Sequence, residues 1–273
     1  MCYGYLNKIC RGLKMKVLLV ATHEERYFST LIRSLQARKI HYFVLGKNEK
    51  WDGYMMKLKL IFEWLENQNP REIVMYLDAF DSLVVGNVLE AEEVFKSTGH
   101  DILLSSGEPQ MGTLGKYVAW KVFGTPFGER HISAGMFMGY AGPLRKYLKE
   151  LINICKGKTN DDERCINSNR QLLQKYKAGI DLDDRIFHNL NSVLIGTEKY
   201  DPKTVQKTAF AISAPGGQVI HESWHPLVKA KVDKCTSCRL LRRVRIIPDY
   251  GMYFIPEIIA IVFLIFCIRW YAV

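Results

Sequence analysis

Residues 72–81 read EIVMYLDAFD, and this stretch decides the fold class. An unbroken apolar run, IVMYL, leads directly into two carboxylates, Asp78 and Asp81. Such a run predicts a strand that is buried on both faces, as in sheets covered by helices on both sides. Ligands of open α/β sheets bind beyond the carboxyl ends of the strands. The stretch therefore predicts an α/β protein with a site at Asp78 and Asp81.

The segments around this strand continue the alternation of strand and helix. Three further strands are predicted at 16–22, 40–46 and 101–105, and three helices at 26–38, 54–67 and 88–97. The strands are continuous apolar runs, whereas the helices repeat apolar residues at helical spacing. Strand and helix in this order predict a parallel sheet with helices on both faces.

The positive charge lies at the ends of the chain. The formal net charge is +10, but the basic residues crowd the first 16 residues and a stretch at 229–245. A nucleic-acid-binding protein would more often spread its charge over a folded face, so we expect no nucleic-acid partner. Four segments are predicted: a basic N-terminal segment at 1–15, the α/β domain at 16–229, a basic juxtamembrane linker at 230–250, and a C-terminal transmembrane helix at 251–273.

The last segment is strongly apolar. Residues 255–268 read IPEIIAIVFLIFCI, and the whole stretch from 250 to 273 reaches the length of about 20 residues that spans a bilayer. The preceding CRLLRRVR, residues 238–245, is the positive flank that remains in the cytoplasm. We therefore expect a single-pass anchor with the folded domain in the cytoplasm. The alternative is a buried or interfacial helix.

Cysteines give a second expectation about the compartment. The seven cysteines are scattered and do not look like a disulfide framework, and no apolar stretch before the first strand is long enough for a signal peptide. Both observations favour a reducing compartment.

Several candidate ligand-binding residues lie near the predicted carboxyl edge. Asp78 and Asp81 suit a hard divalent cation, although each could equally fix a turn or cap a helix. Trp51 and Phe80 could hold a flat base, although aromatic residues in loops are more often part of the core. Lys57 could face a phosphate or simply be solvated.

Two later segments carry further candidates. HISAG at 131–135 contains Ser133 and Gly135, whose small size allows a ligand to approach the backbone, or simply lets the strand bend. Asp161 and Asp162 open a predicted helix, where acidic residues are also favoured by the helix dipole alone.

Four motifs, taken together and in order, resemble the glycosyltransferase domain of the procollagen lysyl hydroxylases, the PLOD family. They are MYLDAFDSLVVG at 75–86, HISAGMFMGYAG at 131–142, DLDDRIFHNLN at 181–191 and VIHE at 219–222. The resemblance runs from about residue 17 to about residue 229, and the procollagen galactosyltransferases are a more distant match.

This resemblance implies a GT-A fold that uses Mn²⁺ and a UDP-sugar. It implies a metal site of Asp78, Asp81 and His221, and catalytic carboxylates Asp161 and Asp162 beside the transferred sugar and the acceptor. The UDP-sugar-binding residues that it implies are Thr22, Trp51, Lys57, Phe80, Ser133 and Gly135. The expected reaction moves a hexose, glucose first and galactose next, to hydroxylysine or galactosyl-hydroxylysine of a collagen-like protein.

His221 also begins HESWH at 221–225, which matches the H-E-x-x-H signature of zinc proteases. A protease needs both histidines one turn apart on a helix. The preceding APGGQVI is strand-like, and Pro226 follows His225 at once, so a helix cannot continue. We therefore do not expect a metalloprotease.

The chain departs from the family pattern at its sugar side. The family sequence Asn-Ser-Gly-Gly becomes ISAG at 132–135, its long acidic run shortens to DDE at 161–163, and its Gly-rich phosphate loop becomes ESW at 222–224. These changes keep open a catalytically silent GT-A protein that binds UDP or acts as a membrane-tethered scaffold. The animal relatives work in the secretory lumen, which is the alternative location.

Overall fold

A mixed six-stranded sheet forms the centre of the protein. The structure is a computed structural model that describes residues 15–107, 113–190, 209–214, 220 and 251–271. Its strands are β1 (Lys16–Val20), β2 (Tyr42–Leu45), β3 (Ile73–Asp78), β4 (Ser82–Val84), β5 (Ile102–Ser106), β6 (Ile132–Tyr140), β7 (Ala178–Asp181), β8 (Phe187–Asn189) and β9 (Ala211–Ser213). The large sheet has the order β2-β1-β3-β6-β5-β7, which confirms the predicted α/β class.

Helices lie between and after these strands, and the sequence predicts the first three of them. They are α1 (Phe28–Ala37), α2 (Met55–Leu65), α3 (Val88–Thr98), α4 (Thr113–Phe123), α5 (Ala141–Cys155), α6 (Asp162–Ser168), α7 (Gln171–Lys175) and α8 (Ile255–Tyr271). The single helix predicted to begin at Asp161 is in fact two short helices, α6 and α7.

Alternating residues of β1 explain why its sequence is apolar throughout. Val17 and Leu19 pack into one core cluster, and Leu18 and Val20 pack into a second cluster on the other face. A strand with a helical layer on each face has no polar side, so continuous apolar residues are required. The residues of β3 are divided between the two faces in the same way, and the charged residue Asp78 ends that strand.

One strand runs against the predicted parallel direction. β6 pairs antiparallel with both β3 and β5, whereas β1, β2 and β3 are parallel neighbours, as are β5 and β7. The reason is where β6 begins: the Gly107 N–H donates to the His131 carbonyl oxygen at 2.7 Å, at the end of β5. If β6 were parallel to β5, the connection would have to cross over and return the chain to the other end of the strands before β6 begins.

A second, three-stranded sheet in the order β4-β9-β8 was not predicted. β4 follows the Asp78–Asp81 turn directly, and β9 pairs with it antiparallel, with Leu83 opposite Ile212. The Ala214 N–H donates to the Asp81 carbonyl oxygen at 2.8 Å. This small sheet thus brings a distant part of the chain against the turn.

The C-terminal helix corrects the predicted membrane anchor. Among the residues that the structure describes, no helix is long and apolar enough to cross a membrane. α8 has 17 residues, and a 3₁₀ turn at Gly251–Phe254 precedes it. Its first turn instead contacts α4, where Glu257 accepts a hydrogen bond from the Tyr117 hydroxyl and forms an ion pair with Lys121.

The cysteines were not expected to form a disulfide framework, but one pair is bonded. Cys155, the last residue of α5, forms a disulfide with Cys165 in α6, and their Cα atoms are 5.9 Å apart. The two residues lie only ten positions apart in the chain, with a turn between the helices.

The predicted segments 1–15 and 230–250 lie outside the described residues, apart from Met15, and their boundaries stay predictions.

Candidate functional site

Asp78 lies at the carboxyl end of the central strand β3. One of its carboxylate oxygens accepts a hydrogen bond from the Phe80 N–H at 3.1 Å, which fixes the turn toward Asp81. Asp78 therefore does fix a turn, but this hydrogen bond uses only one of its two carboxylate oxygens. Gly135 of β6 lies opposite: a Cβ there would be 3.9 Å from the Asp78 Cβ and 3.5 Å from the Ser133 Oγ. The structure thus brings Asp78, Ser133 and Gly135 together.

Lys57 links Asp78 to the acidic start of α6. Its ammonium lies 2.7 Å from an Asp162 oxygen and 3.7 Å from an Asp78 oxygen. Lys57 is 7 % exposed and Asp162 is 3 % exposed, so Lys57 is not the solvated helix lysine of the alternative interpretation. The buried carboxylate of Asp162 and the partly buried carboxylate of Asp78, together with one ammonium, leave a net negative charge at this point, where a bound cation would be favoured.

Burial and pairing shift both pKa values of this ion pair. Burial alone would lower the pKa of Lys57, but the charge of Asp162, and also that of Asp78, raises it well above its ordinary value. Burial raises the pKa of Asp162 to about 6, even though Lys57 opposes this shift. The Asp162 carboxyl therefore titrates close to neutral pH, as groups at functional sites often do.

The loop that carries Trp51 is held against the start of α6 by Asn160. The Asn160 side-chain amide donates to the Asp52 carbonyl oxygen at 3.0 Å, and the Asn160 backbone carbonyl oxygen accepts from the Met55 N–H at 3.2 Å. Gly53, between them, has a φ of +87°, and a Cβ there would overlap the Asn160 amide. The loop needs glycine at this position for both reasons.

Trp51 is exposed and available to a ligand. Its side chain is 42 % exposed and contacts Tyr54 edge-on, with ring centroids 5.9 Å apart. The Tyr54 ring in turn lies 5.4 Å from the Lys57 ammonium. Trp51 is thus not a core residue, and its loop is continuous with the Lys57 cluster.

Phe80 and Thr22 meet at a different point. Phe80 is half-buried against the core, and its ring centroid lies 5.2 Å from that of His23. The Thr22 hydroxyl is hydrogen-bonded to the His23 ring at 3.0 Å, and the Thr22 carbonyl accepts from the Asn48 N–H at 3.2 Å. Thr22 and Phe80 therefore both contact His23 at the ends of β1 and β3. The ring of Trp51 contacts Tyr54 instead.

Asp81 faces an arginine that the sequence did not indicate. The Arg26 guanidinium forms an ion pair with the Asp81 carboxylate. The next residue, Tyr27, donates from its backbone to the Phe80 carbonyl at 3.3 Å, and its hydroxyl accepts from the Ile220 N–H at 2.8 Å. His221, the third predicted metal ligand, lies outside the described residues.

The acidic run has three different roles. Asp161 caps α6, because its carboxylate accepts from the Arg164 N–H at 2.8 Å, which confirms the helix-end interpretation for this residue. Asp162 pairs with Lys57, as above. Glu163 accepts from the Ala134 N–H at 3.3 Å and lies 3.5 Å from the His131 Nε2.

His131 was missed as part of this network. Its Nδ1 is hydrogen-bonded to the Thr125 hydroxyl at 2.7 Å, and its other nitrogen faces Glu163. Burial would raise the pKa of Glu163, but the hydrogen bond and charge of His131 bring it below the ordinary value. The only sequence signal was that His131 opens the HISAG motif.

The DLDDRIFHN motif forms a second fixed turn beside β5. Asp181 accepts three backbone hydrogen bonds, from Arg185, Ile186 and Phe187, at 2.8–3.0 Å. Asp184 bonds the His188 Nδ1 at 2.9 Å and accepts from the Ser106 hydroxyl at 3.1 Å. The repeated aspartates of this motif were the available signal for both contacts.

These motifs agree with a comparison against known families. A family profile described as the PLOD GT domain matches residues 12–211, most of the chain. The chain belongs to the PLOD GT domain family. This confirms the family that the four sequence motifs indicated.

Full-length relatives of the PLOD GT domain are much longer than this chain. The multifunctional procollagen lysine hydroxylase and glycosyltransferase of Caenorhabditis elegans is 26 % identical over 200 residues, covering 68 % of this chain and 27 % of that protein. A procollagen-lysine,2-oxoglutarate 5-dioxygenase of Drosophila melanogaster is 28 % identical over 193 residues, covering 65 % of this chain and 26 % of that protein. The chain thus spans about a quarter of the relatives that it matches.

Solved structures with a similar chain course include two glycosyltransferases. One is the galactosyltransferase LgtC in complex with donor and acceptor sugar analogues, at 15 % identity and a TM-score of 0.47, covering 82 % of this chain and 100 % of that one. The other takes part in glycosylation of the major capsid of the virus PBCV-1, at 12 % identity and a TM-score of 0.48, covering 75 % of this chain and 96 % of that one.

The donor atoms present fit part of a divalent-cation site. Asp78 and Asp81 supply hard carboxylate oxygens from one turn, as Mn²⁺ and Mg²⁺ require. Within the described ranges, no group of three or more His, Cys, Asp or Glu side chains is close enough to hold a metal ion. The predicted third ligand, His221, is not among those residues.

Proposed function

We propose that this PLOD GT domain transfers a hexose from a UDP-sugar to an acceptor hydroxyl in a metal-dependent reaction. Glucose is the favoured sugar and galactose the next. The proposed acceptor is hydroxylysine or galactosyl-hydroxylysine of a collagen-like protein. The observation that carries the proposal is the cluster of buried Lys57 and Asp162 with partly buried Asp78 at the carboxyl end of β3, in a chain of this family.

Each end of the donor has a proposed partner. Asp78 and Asp81, with His221, would hold Mn²⁺, which when bound neutralises the negative charge of the UDP diphosphate as it leaves. Lys57 adds a positive charge next to Asp78 and can face the same phosphates. The exposed ring of Trp51 can stack on the uracil, with Thr22 and Phe80 at the neighbouring strand ends.

The sugar side is formed by β6 and α6. Gly135 leaves open backbone beside Asp78, and Ser133 presents a hydroxyl at the same place. Asp162, ionised at neutral pH, can stabilise positive charge that develops on the sugar ring, and its ion pair with Lys57 fixes its position. In the reaction, the acceptor oxygen bonds to the anomeric carbon, the bond from that carbon to the UDP oxygen breaks, and the hydroxyl proton is released. Asp161, the cap of α6, holds this carboxylate-bearing helix end in place.

The Cys155–Cys165 disulfide supports a location in an oxidising compartment. We therefore favour the secretory lumen, the location of the animal relatives, over the cytoplasm.

The test is a donor and acceptor screen with the full chain. UDP release would be followed with Mn²⁺ and each of several UDP-sugars, with and without hydroxylysine and galactosyl-hydroxylysine peptides. Asp78→Asn removes a charge at the site, and Glu90→Gln removes an exposed charge on α3 as the matched control. We expect release that depends on acceptor, occurs with one sugar, and is lost only in Asp78→Asn. Mn²⁺-dependent binding of UDP without release from any sugar would instead identify a silent UDP-binding scaffold.

A further inference from the structure

Arg26 occupies an unusual backbone position next to the proposed metal site. Its φ is +48°, in the left-handed region that non-glycine residues rarely adopt. From there its guanidinium pairs with Asp81, and the two side chains are only 15 % and 20 % exposed. In a shielded ion pair of this kind, removing one partner leaves the other charge without compensation, which lowers the stability of the folded protein.

Neighbouring contacts keep Arg26 close to Asp81. The Tyr27 backbone donates to the Phe80 carbonyl at 3.3 Å, within the same turn that carries Asp81. The Tyr27 ring lies 5.7 Å from the centre of the guanidinium. Its hydroxyl accepts from the Ile220 N–H at 2.8 Å, so the loop after β1 contacts both the acidic turn and Ile220.

We propose that Arg26 is an internal counter-ion of Asp81 that competes with the divalent cation for this carboxylate. The inference rests on the metal site of the proposed function. A guanidinium and a divalent cation both need the carboxylate oxygens, and they repel each other at short range. Cation binding therefore requires Arg26 to release Asp81, and Arg26 positions that carboxylate while no cation is bound.

This competition predicts two measurable effects of Arg26→Gln. The variant binds Mn²⁺ roughly tenfold more tightly than the wild type, because the competing charge is gone and an unfavourable coupling of ordinary size is removed with it. Without metal, the same variant melts at a lower temperature, because the shielded Asp81 has lost its partner. Saturating Mn²⁺ removes this difference in melting temperature.

The experiment is a Mn²⁺ titration of the full chain, followed through the electron paramagnetic resonance signal of free Mn²⁺. Arg33→Gln, an exposed arginine on α1, is the matched control and should bind as the wild type does. Arg26→Lys keeps the charge and should stay close to the wild type, which provides a test even if the glutamine variant folds poorly. In EDTA, the melting-temperature losses of Arg26→Gln and Asp81→Asn should be much less than additive in the double variant.

The outcomes separate this inference from the proposed function. Equal or weaker Mn²⁺ binding by Arg26→Gln, with hexose transfer by the wild type intact, overturns the role of Arg26 and leaves the transferase standing. Additive losses in the double variant also overturn it. If neither wild type nor variant binds Mn²⁺, both the counter-ion role and the metal assignment are wrong, and turnover in EDTA would then show a hexose transferase that needs no metal.

Discussion

Titration of Asp162 gives the sharpest prediction about the mechanism. Burial raises the pKa of this carboxyl to about 6. About nine-tenths of it is then ionised at pH 7 and about one-tenth at pH 5. If the carboxylate is needed for transfer, kcat/KM falls about tenfold across this interval. Asp162→Asn should be slow throughout and should lack this acidic limb.

Stability should change in the opposite direction over the same interval. The pKa of Asp162 rises from 3.8 to about 6 on folding, so ionisation of this group destabilises the folded state by about 3 kcal/mol. The contribution is fully favourable below the unfolded value and is lost as the pH rises through about 6. Lys57 stays charged here because its pKa is raised well above the ordinary value. Wild type should therefore gain free energy of unfolding relative to Asp162→Asn as the pH falls.

Both quantities can be measured on the same samples. Initial rates and urea unfolding would be followed between about pH 5 and about pH 7.5, where the Asp162 equilibrium is steepest. Glu90→Gln is the control for loss of an exposed carboxylate on α3. A flat wild-type rate, the same acidic limb in Asp162→Asn, or a stability difference that grows with pH would refute the assignment.

Three further changes test other parts of the structure. Replacing Cys155 and Cys165 by serine opens a loop with a sequence separation of 10, and urea unfolding should show a loss of about 2.7 kcal/mol; an unchanged midpoint would contradict a disulfide in the folded protein. Gly53→Ala should lower the melting temperature and the transfer rate, because a side chain there displaces Asn160; wild-type values would show that the loop does not depend on this glycine. Trp51→Ala should leave the melting temperature nearly unchanged, since the ring is exposed, but weaken UDP binding roughly tenfold in calorimetry; equal UDP affinity would remove Trp51 from the site.

Four strands of the main sheet, β1, β2, β3 and β5, could be predicted because each one carries its own signal. The apolar run of β3 and the two-sided burial of β1 follow from local residues, and the predicted bounds differ from the observed ones by only a few positions. The turn after β3 was predicted for the same reason, since Asp78 follows the apolar run directly.

Contacts between distant segments carried no such signal. The direction of β6 depends on where the chain turns after β5, and the small sheet pairs β4 with β9, more than a hundred residues later. The Arg26–Asp81 pair joins two loops. Each of these residues is common in turns, so neither one alone indicates the pair. The C-terminal apolar stretch suggested a span by composition, whereas residues 251–254 form a 3₁₀ turn and only Ile255–Tyr271 form the helix α8.

The candidate site was predicted in part for similar reasons. Asp78, Lys57, Asp162 and Gly135 were each selected and do lie together. That Lys57 is buried by Asp162 could not be read from the sequence, because their separation along the chain gives no distance in space.

The most direct test of the central claim is the mass of an acceptor peptide after incubation with the full chain. The peptide would carry galactosyl-hydroxylysine or hydroxylysine, with UDP-glucose or UDP-galactose as donor and Mn²⁺ present. The account predicts the addition of one hexose by the wild type and by Glu90→Gln, and none by Asp78→Asn. Hexose addition that Asp78→Asn carries out at the wild-type rate would contradict a transferase site at the end of β3.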